Sequence, residues 1–509
     1  MKHRLLIVLL CAAALTKTVS MSAQQDAFDR FKKQQSDRYN RFKADKQAEY
    51  DAFRRRVNEQ YADFMRKAWE SVPVHEAEEP IKEKTMPPVI YEEPKPEEKP
   101  QPKDKPQPPQ EDVKPVKIAV KPKVVIVPPP PPTPEPIAPV IPKEEPYKKV
   151  SVNYFGNLIT IGFPTTDNLR LQRLDENTIA DAWVELAGSR YDITVKTALD
   201  ARQANALCDW AYMQMLQAVT EKHYGKTNEA VLAQAFLMTQ SGYRIRLGMS
   251  DKKLYMLVAS QYDIFGMPFY TLEGTKFYNI CNEDRVKMRI TNAQWDKEQS
   301  LSLQLTRLPD LANDPTAERT LTSRTGVTAT VSLNKNLIDF FNTYPQACFN
   351  GDQTTRWAAY ANTPVEQSVK DMLYPSLKKT ISSMNERDAV GVLLNWVQTA
   401  FQYGYDDKIW GGDRAFFAQE TLYYPYCDCE DRAILFSHLV RDLVGLDVVL
   451  LYYPGHLATA VAFNGNVKGD YLTYNSRRYT VCDPTYINAG VGRTMPNMNN
   501  QEAQIIALR

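Results

Sequence analysis

Residues 426–445 read YCDCEDRAILFSHLVRDLVG, and this stretch decides both the fold and the candidate chemistry of the chain. Asp428 is a suitable N-cap, acidic residues fill the first turn, and apolar residues then recur at helical spacing up to Gly445. The pattern predicts a buried helix that begins at Cys429 and ends before the glycine.

A thiol in the first turn of a helix meets unpaired backbone N–H groups and the positive end of the helix dipole, and both favour the thiolate. The adjacent acids Glu430 and Asp431 oppose this effect, so a nucleophile at Cys429 requires a cationic partner. Two alternatives are an inert packed cysteine and a strained disulfide to Cys427. A metal site is the third alternative, with the candidate ligands Cys427, Cys429, His456 and Cys482. Because paired C-x-x-C spacing is absent and a metal would not explain Asp483-Pro484, we expect no metal. The sequence has no glycine-rich phosphate loop either, and we expect no other cofactor.

His456 is the histidine best placed to be that partner. It follows VVLLYYPG, a strand and a Pro-Gly turn, and it opens HLATAVAF, a second strand. Alternation places the imidazole and a row of small side chains on one strand face, which we expect to pack closely on the helix. The row consists of Ala458, Ala460 and Ala462.

A carboxylate that can orient this histidine occurs downstream, in YLTYNSRRYTVCDPTY. The segment predicts a hairpin that turns at Asn475 and Ser476, with a second strand that ends at Asp483. Pro484 then terminates the strand. Cys482 should face the opposite way, into the core, because neighbours in a strand alternate between faces.

These three blocks, in this order, resemble the core of the transglutaminase-like superfamily, which is similar in fold to papain-type cysteine proteases. The resemblance extends from about Ala389 to Pro496 and points to exported bacterial members. It implies that Cys429 is the nucleophile, His456 the base and Asp483 the orienting acid.

The resemblance also implies how the oxyanion is held: by the backbone N–H of Cys429 and one upstream donor, either Trp410 or Tyr424. One departure from the family pattern is visible. Family members frequently have glycine two residues before the nucleophile, whereas this chain has Cys427.

The function expected from these residues is cysteine-dependent acyl transfer at amide bonds, as a peptidase or amidase or as a transglutaminase. The substrate would be a protein or peptide, cell-wall peptide included. The alternative is a non-catalytic envelope scaffold with a transglutaminase-like head. Since the net charge is only +1 over 509 residues, composition does not indicate nucleic acid as a partner.

Residues 1–23 have a basic tip, a short apolar run and small residues near the end, which is typical of a secretory signal peptide. We therefore expect export to the periplasm, the cell envelope or the extracellular space, with no transmembrane segment in the mature chain. An oxidising compartment would allow disulfides, with Cys208, Cys281 and Cys348 as candidates.

Residues 24–72 should form a helical segment, because two series of aromatic residues recur with a period of eleven, about three helical turns. The pattern predicts a coiled coil or a helix that docks on a partner, so we expect self-association or a helical partner through residues 26–69. The two series are Phe28, Tyr39, Tyr50 and Tyr61, and Phe31, Phe42, Phe53 and Phe64.

Residues 73–147 are rich in proline and charge, and their composition predicts an extended spacer. The remainder mixes helices and antiparallel strands, which indicates an α+β fold. We divide it into an α+β domain at 148–335 and a transglutaminase-like catalytic domain at 336–509. The segment AVLAQAFLMTQSGYRIRLG has the same helix-glycine-strand pattern as the region after Cys429, so the first domain is a candidate degenerate duplicate of the second.

Overall fold

The structure is a computed structural model. It describes residues 2–80, 88–91, 123–138, 140, 142, 145–167, 169–281, 284–498 and 503–509, with side chains from residue 30 onward except that of Ser189. The helices of this part are α1 (Lys2–Met65), α2 (Glu176–Leu186), α3 (Asp192–Ala204), α4 (Asp209–Tyr224), α5 (Asn228–Gln240), α6 (Lys335–Thr343), α7 (Thr355–Asn362), α8 (Gln367–Ile381), α9 (Glu386–Thr399), α10 (Asp406–Ile409), α11 (Ala418–Tyr423) and α12 (Cys429–Leu443).

The strands of the first half are β1 (Trp69–Val72), β2 (Lys123–Val125), β3 (Tyr147–Tyr154), β4 (Asn157–Pro164), β5 (Ile245–Ser250), β6 (Lys253–Ala259), β7 (Tyr262–Ile264), β8 (Phe269–Leu272), β9 (Thr275–Tyr278), β10 (Met288–Thr291), β11 (Arg319–Thr322) and β12 (Thr328–Val331). Those of the second half are β13 (Ala347–Phe349), β14 (Gln402–Tyr403), β15 (Tyr426–Cys427), β16 (Asp447–Tyr453), β17 (His456–Ala462), β18 (Tyr471–Tyr474), β19 (Arg477–Cys482) and β20 (Gln504–Ala507). Helices and antiparallel sheets are interleaved along the chain, which confirms the α+β class.

Two six-stranded sheets organise the described residues. The first has the order β1-β10-β5-β6-β9-β8, with α5 packed on its central hairpin, and the second has the order β18-β19-β17-β16-β20-β2, with α12 packed on its central hairpin. Neighbouring strands are antiparallel except for β2 and β20. Each sheet is therefore covered by one buried helix that directly precedes its two central strands.

The two sheets share one connectivity. In both, a helix leads into a hairpin, a second hairpin extends one side of the sheet, and the last strand extends the other side. Asn228 begins α5 as Cys429 begins α12, and Lys253 begins β6 as His456 begins β17. Asn279 follows β9 as Asp483 follows β19. One contact is common to both sheets. The side chain of Asn228 accepts a hydrogen bond at 2.9 Å from the N–H of Leu254, and the side chain of Cys429 interacts in the same way with the N–H of Leu457. The two sheets therefore have the same order of elements, and the first has Asn228, Lys253 and Asn279 where the second has Cys429, His456 and Asp483.

The predicted start and end of α12 are confirmed. Asp428 has an extended N-cap conformation, and Gly445 follows the helix at a φ of 74°, which a side chain would oppose. The helix is buried from Cys429 to Val440, so packing rather than propensity stabilises it. The predicted turn of the later hairpin is confirmed as well, with positive φ at Asn475 and Ser476 between β18 and β19. That second strand ends at Cys482, one residue earlier than predicted.

The two aromatic series of α1 differ in burial only towards its C-terminal end, since Tyr39 of the first series is 67% exposed. Tyr61 is buried, stacks on Trp295 with ring centroids 4.6 Å apart and lies beside Trp183 of α2. The second series stays exposed, at 58% for Phe31, 61% for Phe42, 46% for Phe53 and 49% for Phe64. The C-terminal end of α1 therefore docks on the chain through the tyrosine side, and its phenylalanine line faces outward. The side chain of Phe28 is outside the described residues, as are the side chains of the predicted signal peptide.

The described parts of the proline-rich segment differ from the predicted free spacer. His75 forms a bridge with Phe269, strand β2 pairs with β20, and Ile90 forms a bridge with Ile487. Just before this segment, the predicted helical segment 24–72 ends early, because α1 stops at Met65 and Trp69–Val72 form β1, which pairs with β10. The N–H of Ile137 donates to the carbonyl of Gln240 at 3.1 Å. Short β-forming stretches within the segment use exposed sheet edges, which supply the backbone partners that proline-rich neighbours lack. Residues 81–87 and 92–122 of the predicted spacer lie outside the described part.

The six cysteines with described side chains are all free thiols, so the candidate disulfides of Cys208, Cys281 and Cys348 are not formed. None of the helices, over the residues that the structure describes, has both the length and the apolar character needed to span a bilayer.

Candidate active site

Cys429 lies at the first residue of α12, and its side chain is almost fully enclosed. The residue is 4% exposed. The carboxylate of Asp431 holds the start of the helix, because it accepts hydrogen bonds from the N–H of Asp428 at 3.1 Å and from the N–H of Phe416 at 2.9 Å. The upstream loop and the helix N-terminus are thereby tied together around the thiol.

His456 and Asp483 form a buried pair, as the sequence predicts. The Nε2 atom of His456 lies 2.8 Å from the Oδ2 atom of Asp483, and their side chains are 1% and 2% exposed. Since a carboxylate can only accept, Nε2 donates in this bond, and Nδ1 is the ring nitrogen that Asp483 does not engage. The other carboxylate oxygen accepts from the N–H groups of Thr485 at 2.9 Å and Tyr486 at 3.2 Å, which fixes its orientation.

A buried glutamine of α9 supports the loop that carries Asp483. The Nε2 atom of Gln398 lies within hydrogen-bond distance of the carbonyls of Asp483, Tyr486 and Ala489, at 3.0, 2.8 and 3.0 Å. Arg432 of α12 donates in turn to the carbonyl of Gln398 at 3.3 Å. Through this chain of contacts, the helix that carries the thiol is linked to the loop that carries the acid.

Cys429 and His456 line one small cleft of about 50 Å³. The backbone N–H of Leu457, next to the histidine, interacts with the thiol sulfur. The residues around the cleft come from the start of α7 and the two residues before it, the loop between α10 and α11, the start of α12 and the turn between β16 and β17. They are Gln353, Thr354, Arg356, Trp357, Asp413, Cys429, Glu430, Tyr452, Gly455, His456 and Leu457.

The alternation along β17 is present, but the face that packs on α12 is opposite to the predicted one. Leu457 and Val461 belong to the hydrophobic core that contains α12. His456 instead reaches the cleft from the first residue of the strand, directly after Gly455, whose φ is 78°. The prediction that the row of small residues packs on the helix is therefore wrong, since a second core on the other side of the sheet contains Ala458, Ala460 and Ala462. Cys482 faces the main core, as predicted.

The electrostatic environment of Cys429 favours a neutral thiol. Burial raises its pKa well above the usual range, the charges of Glu430 and Asp428 raise it further, and the N–H of Leu457 lowers it. The sulfur also donates a hydrogen bond to Oε2 of Glu430 at 3.1 Å. The prediction that neighbouring acids oppose the thiolate is thus confirmed for Glu430, whereas the second opposing acid is Asp428 rather than Asp431.

Carboxyl groups from three segments converge behind the thiol. Oxygen atoms of Asp406, Asp413 and Glu430 lie within 4.8 Å of one another, and so do the ligand atoms of Asp428, Cys429 and Glu430. Burial and the charge of Glu430 raise the pKa of Asp406 to about 8. Burial likewise raises the pKa of Asp428 well above its usual range. A protonated Asp406 at neutral pH would repel the neighbouring carboxylates less.

The soft-ligand metal set considered from the sequence is not assembled. Among the described residues, the groups close enough to hold an ion are the acidic ones above, and Cys427, His456 and Cys482 belong to neither. Cys427 instead lies in β15, where its thiol points to the carbonyl of Gln402 at 3.8 Å.

The two candidate oxyanion donors lie in a different cluster. The rings of Trp410 and Tyr424 are 4.8 Å apart, Arg414 lies over Trp410 at 4.4 Å, and the hydroxyl of Tyr424 donates to Asn342 at 2.7 Å. Neither aromatic residue is among those that line the cleft.

The cleft has other donors, which sequence reasoning missed. Arg356 and Trp357 of α7 line it, and Arg356 pairs through Nη2 with Asp413 at 2.9 Å. The remaining donors Nε and Nη1 of Arg356 and Nε1 of Trp357 are buried and have no acceptor among the described residues. No local motif in TTRWAAYAN indicated this role, because only the packing of α7 against α12 brings the two residues to the thiol.

Comparison of the chain with protein-family models, with curated proteins and with solved structures found no match. The assignment of function therefore depends on the geometry of Cys429, His456 and Asp483.

Proposed function

We propose that the chain is an exported cysteine-dependent acyl-transfer enzyme with a transglutaminase-like or papain-like catalytic core. The observation that carries the proposal is the buried hydrogen bond of 2.8 Å between His456 and Asp483, at a cleft whose wall also contains the thiol of Cys429. Nucleophile, base and orienting acid are the set that covalent acyl transfer requires, and a helix start and two strands of one sheet carry them.

The proposed reaction has two stages. The sulfur of Cys429 attacks an amide carbonyl carbon, and Nδ1 of His456 takes the thiol proton. When the C–N bond breaks, the same proton passes to the leaving amine, and a thioester remains. Water then attacks the thioester in a peptidase or amidase, and a second amine attacks it in a transglutaminase; His456 removes the attacking proton and returns it to the sulfur.

The donors left without acceptors complete the proposed site. A tetrahedral intermediate places a negative oxygen within reach of the backbone N–H at Cys429 and needs at least one more donor. We assign that role to Trp357, with Arg356 beside it, because both line the cleft and their donor atoms are unpaired among the described residues. A ligand oxygen would satisfy buried donors that are otherwise costly to leave unpaired.

The neutral thiol fits a nucleophile that is activated only when substrate is bound. Its hydrogen bond to Glu430 holds the proton away from His456 in the free protein. Substrate that occupies the cleft would displace this contact and allow proton transfer to the imidazole, since catalytic hydrogen bonds commonly tighten in the substrate complex.

A non-catalytic envelope scaffold remains the second candidate, because the exposed phenylalanine line of α1 provides a surface for self-association or for a helical partner. The two functions are compatible: α1 would tether the head, and the head would act on nearby peptide. Export and a periplasmic or extracellular location belong to the same proposal.

The test compares wild-type protein with Cys429→Ala on peptide amides and on envelope fractions, with released or joined fragments identified by mass spectrometry. Cys427→Ala is the matched control, because its thiol is two residues away and equally buried. Hydroxylamine should trap the thioester as a hydroxamate in wild type and in Cys427→Ala only. Equal turnover by wild type and Cys429→Ala would refute the enzyme, and absence of turnover and of hydroxamate in all three proteins would favour the scaffold.

A further inference from the structure

The cleft beside Cys429 leaves little room on the acyl side of a substrate. Its volume is about 50 Å³, and Cys429 and His456 are only 4% and 3% exposed. A site of this size accepts one small group next to the reacting carbonyl rather than a long side chain. The chemistry of that group can be derived from the side chains that it would meet.

A carboxylate lies beside the space that the first substituent of the acyl group must occupy. In an attack geometry, the carbonyl carbon lies about 3–3.5 Å from the sulfur. A group on the α-carbon is about 2.5 Å from that carbonyl carbon, as standard bond lengths dictate. Because Oε2 of Glu430 is 3.1 Å from the sulfur, such a group is within reach of its carboxylate.

The charge of the cleft favours a cation beside the sulfur. Glu430 and Asp413 both line the cleft; Asp413 is paired with Arg356, whereas the carboxylate of Glu430 accepts the thiol hydrogen bond that a substrate would displace. The rings of Trp357 and Tyr452 pack with centroids 5.2 Å apart, and the guanidinium of Arg356 lies over the Trp357 ring at 4.5 Å, so these side chains form one wall of the cleft.

One buried side chain that lines the cleft independently indicates that a ligand belongs here. Arg356 has a side-chain exposure of 5% and leaves Nε and Nη1 without acceptors in the described part of the chain. A ligand with both an ammonium group and a carbonyl oxygen, close together, would satisfy acceptors and donors alike.

We propose that the cleft selects α-aminoacyl substrates, so that the amide cleaved or transferred is the one that follows a free N-terminal residue. Glu430 binds the α-ammonium group, and Trp357 and Arg356 receive the carbonyl oxygen. This substrate class rests on the proposed function, and it predicts an aminopeptidase-like requirement for an unblocked amine.

The test uses the full chain and two affinity labels that differ only at the amine: alanyl chloromethyl ketone and its N-acetyl derivative. Each alkylates a thiol with loss of chloride, so labelling of Cys429 is measured by mass spectrometry without any need for turnover. We expect the free amine to label roughly tenfold faster or more, the ratio that a hydrogen bond to a charged group commonly gives. Alanyl and N-acetylalanyl coumarin amides test the same preference in cleavage.

Glu430→Gln should reduce the labelling ratio towards one, because the amide keeps the shape of the side chain and loses its charge. Asp407→Asn is the matched control, since Asp407 is exposed in the same region and should leave the ratio unchanged. Thermal unfolding of both variants distinguishes loss of recognition from loss of fold.

Equal labelling by the two reagents, or no labelling of Cys429 by either, would overturn the substrate class. The competing explanation is a cation site formed by the same carboxyl groups. It predicts that Ca²⁺ or Mg²⁺ changes both labelling rates together and that the acetyl group has no effect. This result would also overturn the proposed substrate class. Preferential labelling without amide cleavage would keep the recognition and refute the proposed enzyme. Cleavage of both coumarin amides at equal rates would keep the enzyme and refute the substrate class.

Discussion

Replacement of Asp483 by asparagine tests the orientation of His456 with almost no change in shape. Oδ1 of Asp483 accepts two backbone hydrogen bonds, from Thr485 at 2.9 Å and Tyr486 at 3.2 Å. Asparagine must keep its oxygen at that position, because only an acceptor satisfies these N–H groups. Its NH₂ group then faces Nε2 of His456, which has to accept, and the histidine proton moves to Nδ1. The lone pair that should receive the thiol proton is lost.

The expected loss follows from this tautomer change. A Ser-His-Asp triad loses about 10⁴ in kcat after the same isosteric change. We expect about 10³–10⁴ for Asp483→Asn, equivalent to about 4–5.5 kcal/mol in the activation free energy. The folding free energy should change little, because the two backbone hydrogen bonds to the side-chain oxygen are kept and donor and acceptor are exchanged only in the bond to His456.

The assay measures kcat on alanyl coumarin amide for wild type and Asp483→Asn, with thermal unfolding of each. Asp470→Asn is the control, because Asp470 also accepts a backbone hydrogen bond, from Thr494 at 3.1 Å, without a histidine partner. Nitrogen-15 chemical shifts of the imidazole report the tautomer directly. Activity of Asp483→Asn within tenfold of wild type, with the imidazole proton moved to Nδ1, would refute the reasoning about the base.

Three further predictions concern charge and burial. Since burial and the charges of Glu430 and Asp428 raise the pKa of Cys429, its alkylation by iodoacetamide should increase with pH through a midpoint above that of a free cysteine, and Glu430→Gln should lower this midpoint. The pKa of Asp406 is raised to about 8 in the folded chain, so the folded state binds more protons than the unfolded state between about pH 4 and pH 8, and stability should fall as pH rises through that window. Urea unfolding should show a shallower decline in Asp406→Asn, by on the order of 1–3 kcal/mol; an unchanged slope would contradict the buried proton. Asp192→Ala leaves Arg54 of α1 buried without its ion-pair partner and should cost about 3–5 kcal/mol, which faster proteolytic release of α1 would reveal.

Much of the C-terminal half could be predicted from sequence because the relevant signals are local. The start of α12 depends on Asp428 and its end on Gly445, and both act within one turn of the helix. The two hairpins follow from short apolar runs that are separated by turn residues tolerant of positive φ, such as Asn475 and Gly455. The pairing of His456 with Asp483 follows from their order along the chain, on two successive predicted strands, and from the resemblance to the transglutaminase-like superfamily.

The environment of the thiol could not be predicted in this way. Arg356 and Trp357 reach the cleft from a helix more than 70 residues upstream, and Asp406 and Asp413 converge on Glu430 through loops whose sequence has no regular period. Sequence alone determined which residues begin helices, alternate in strands and offer a thiol, an imidazole and a carboxylate in order. The tertiary structure alone decided which face of β17 packs on α12 and which charges surround the sulfur, because these depend on strand order and long-range packing rather than on neighbouring residues.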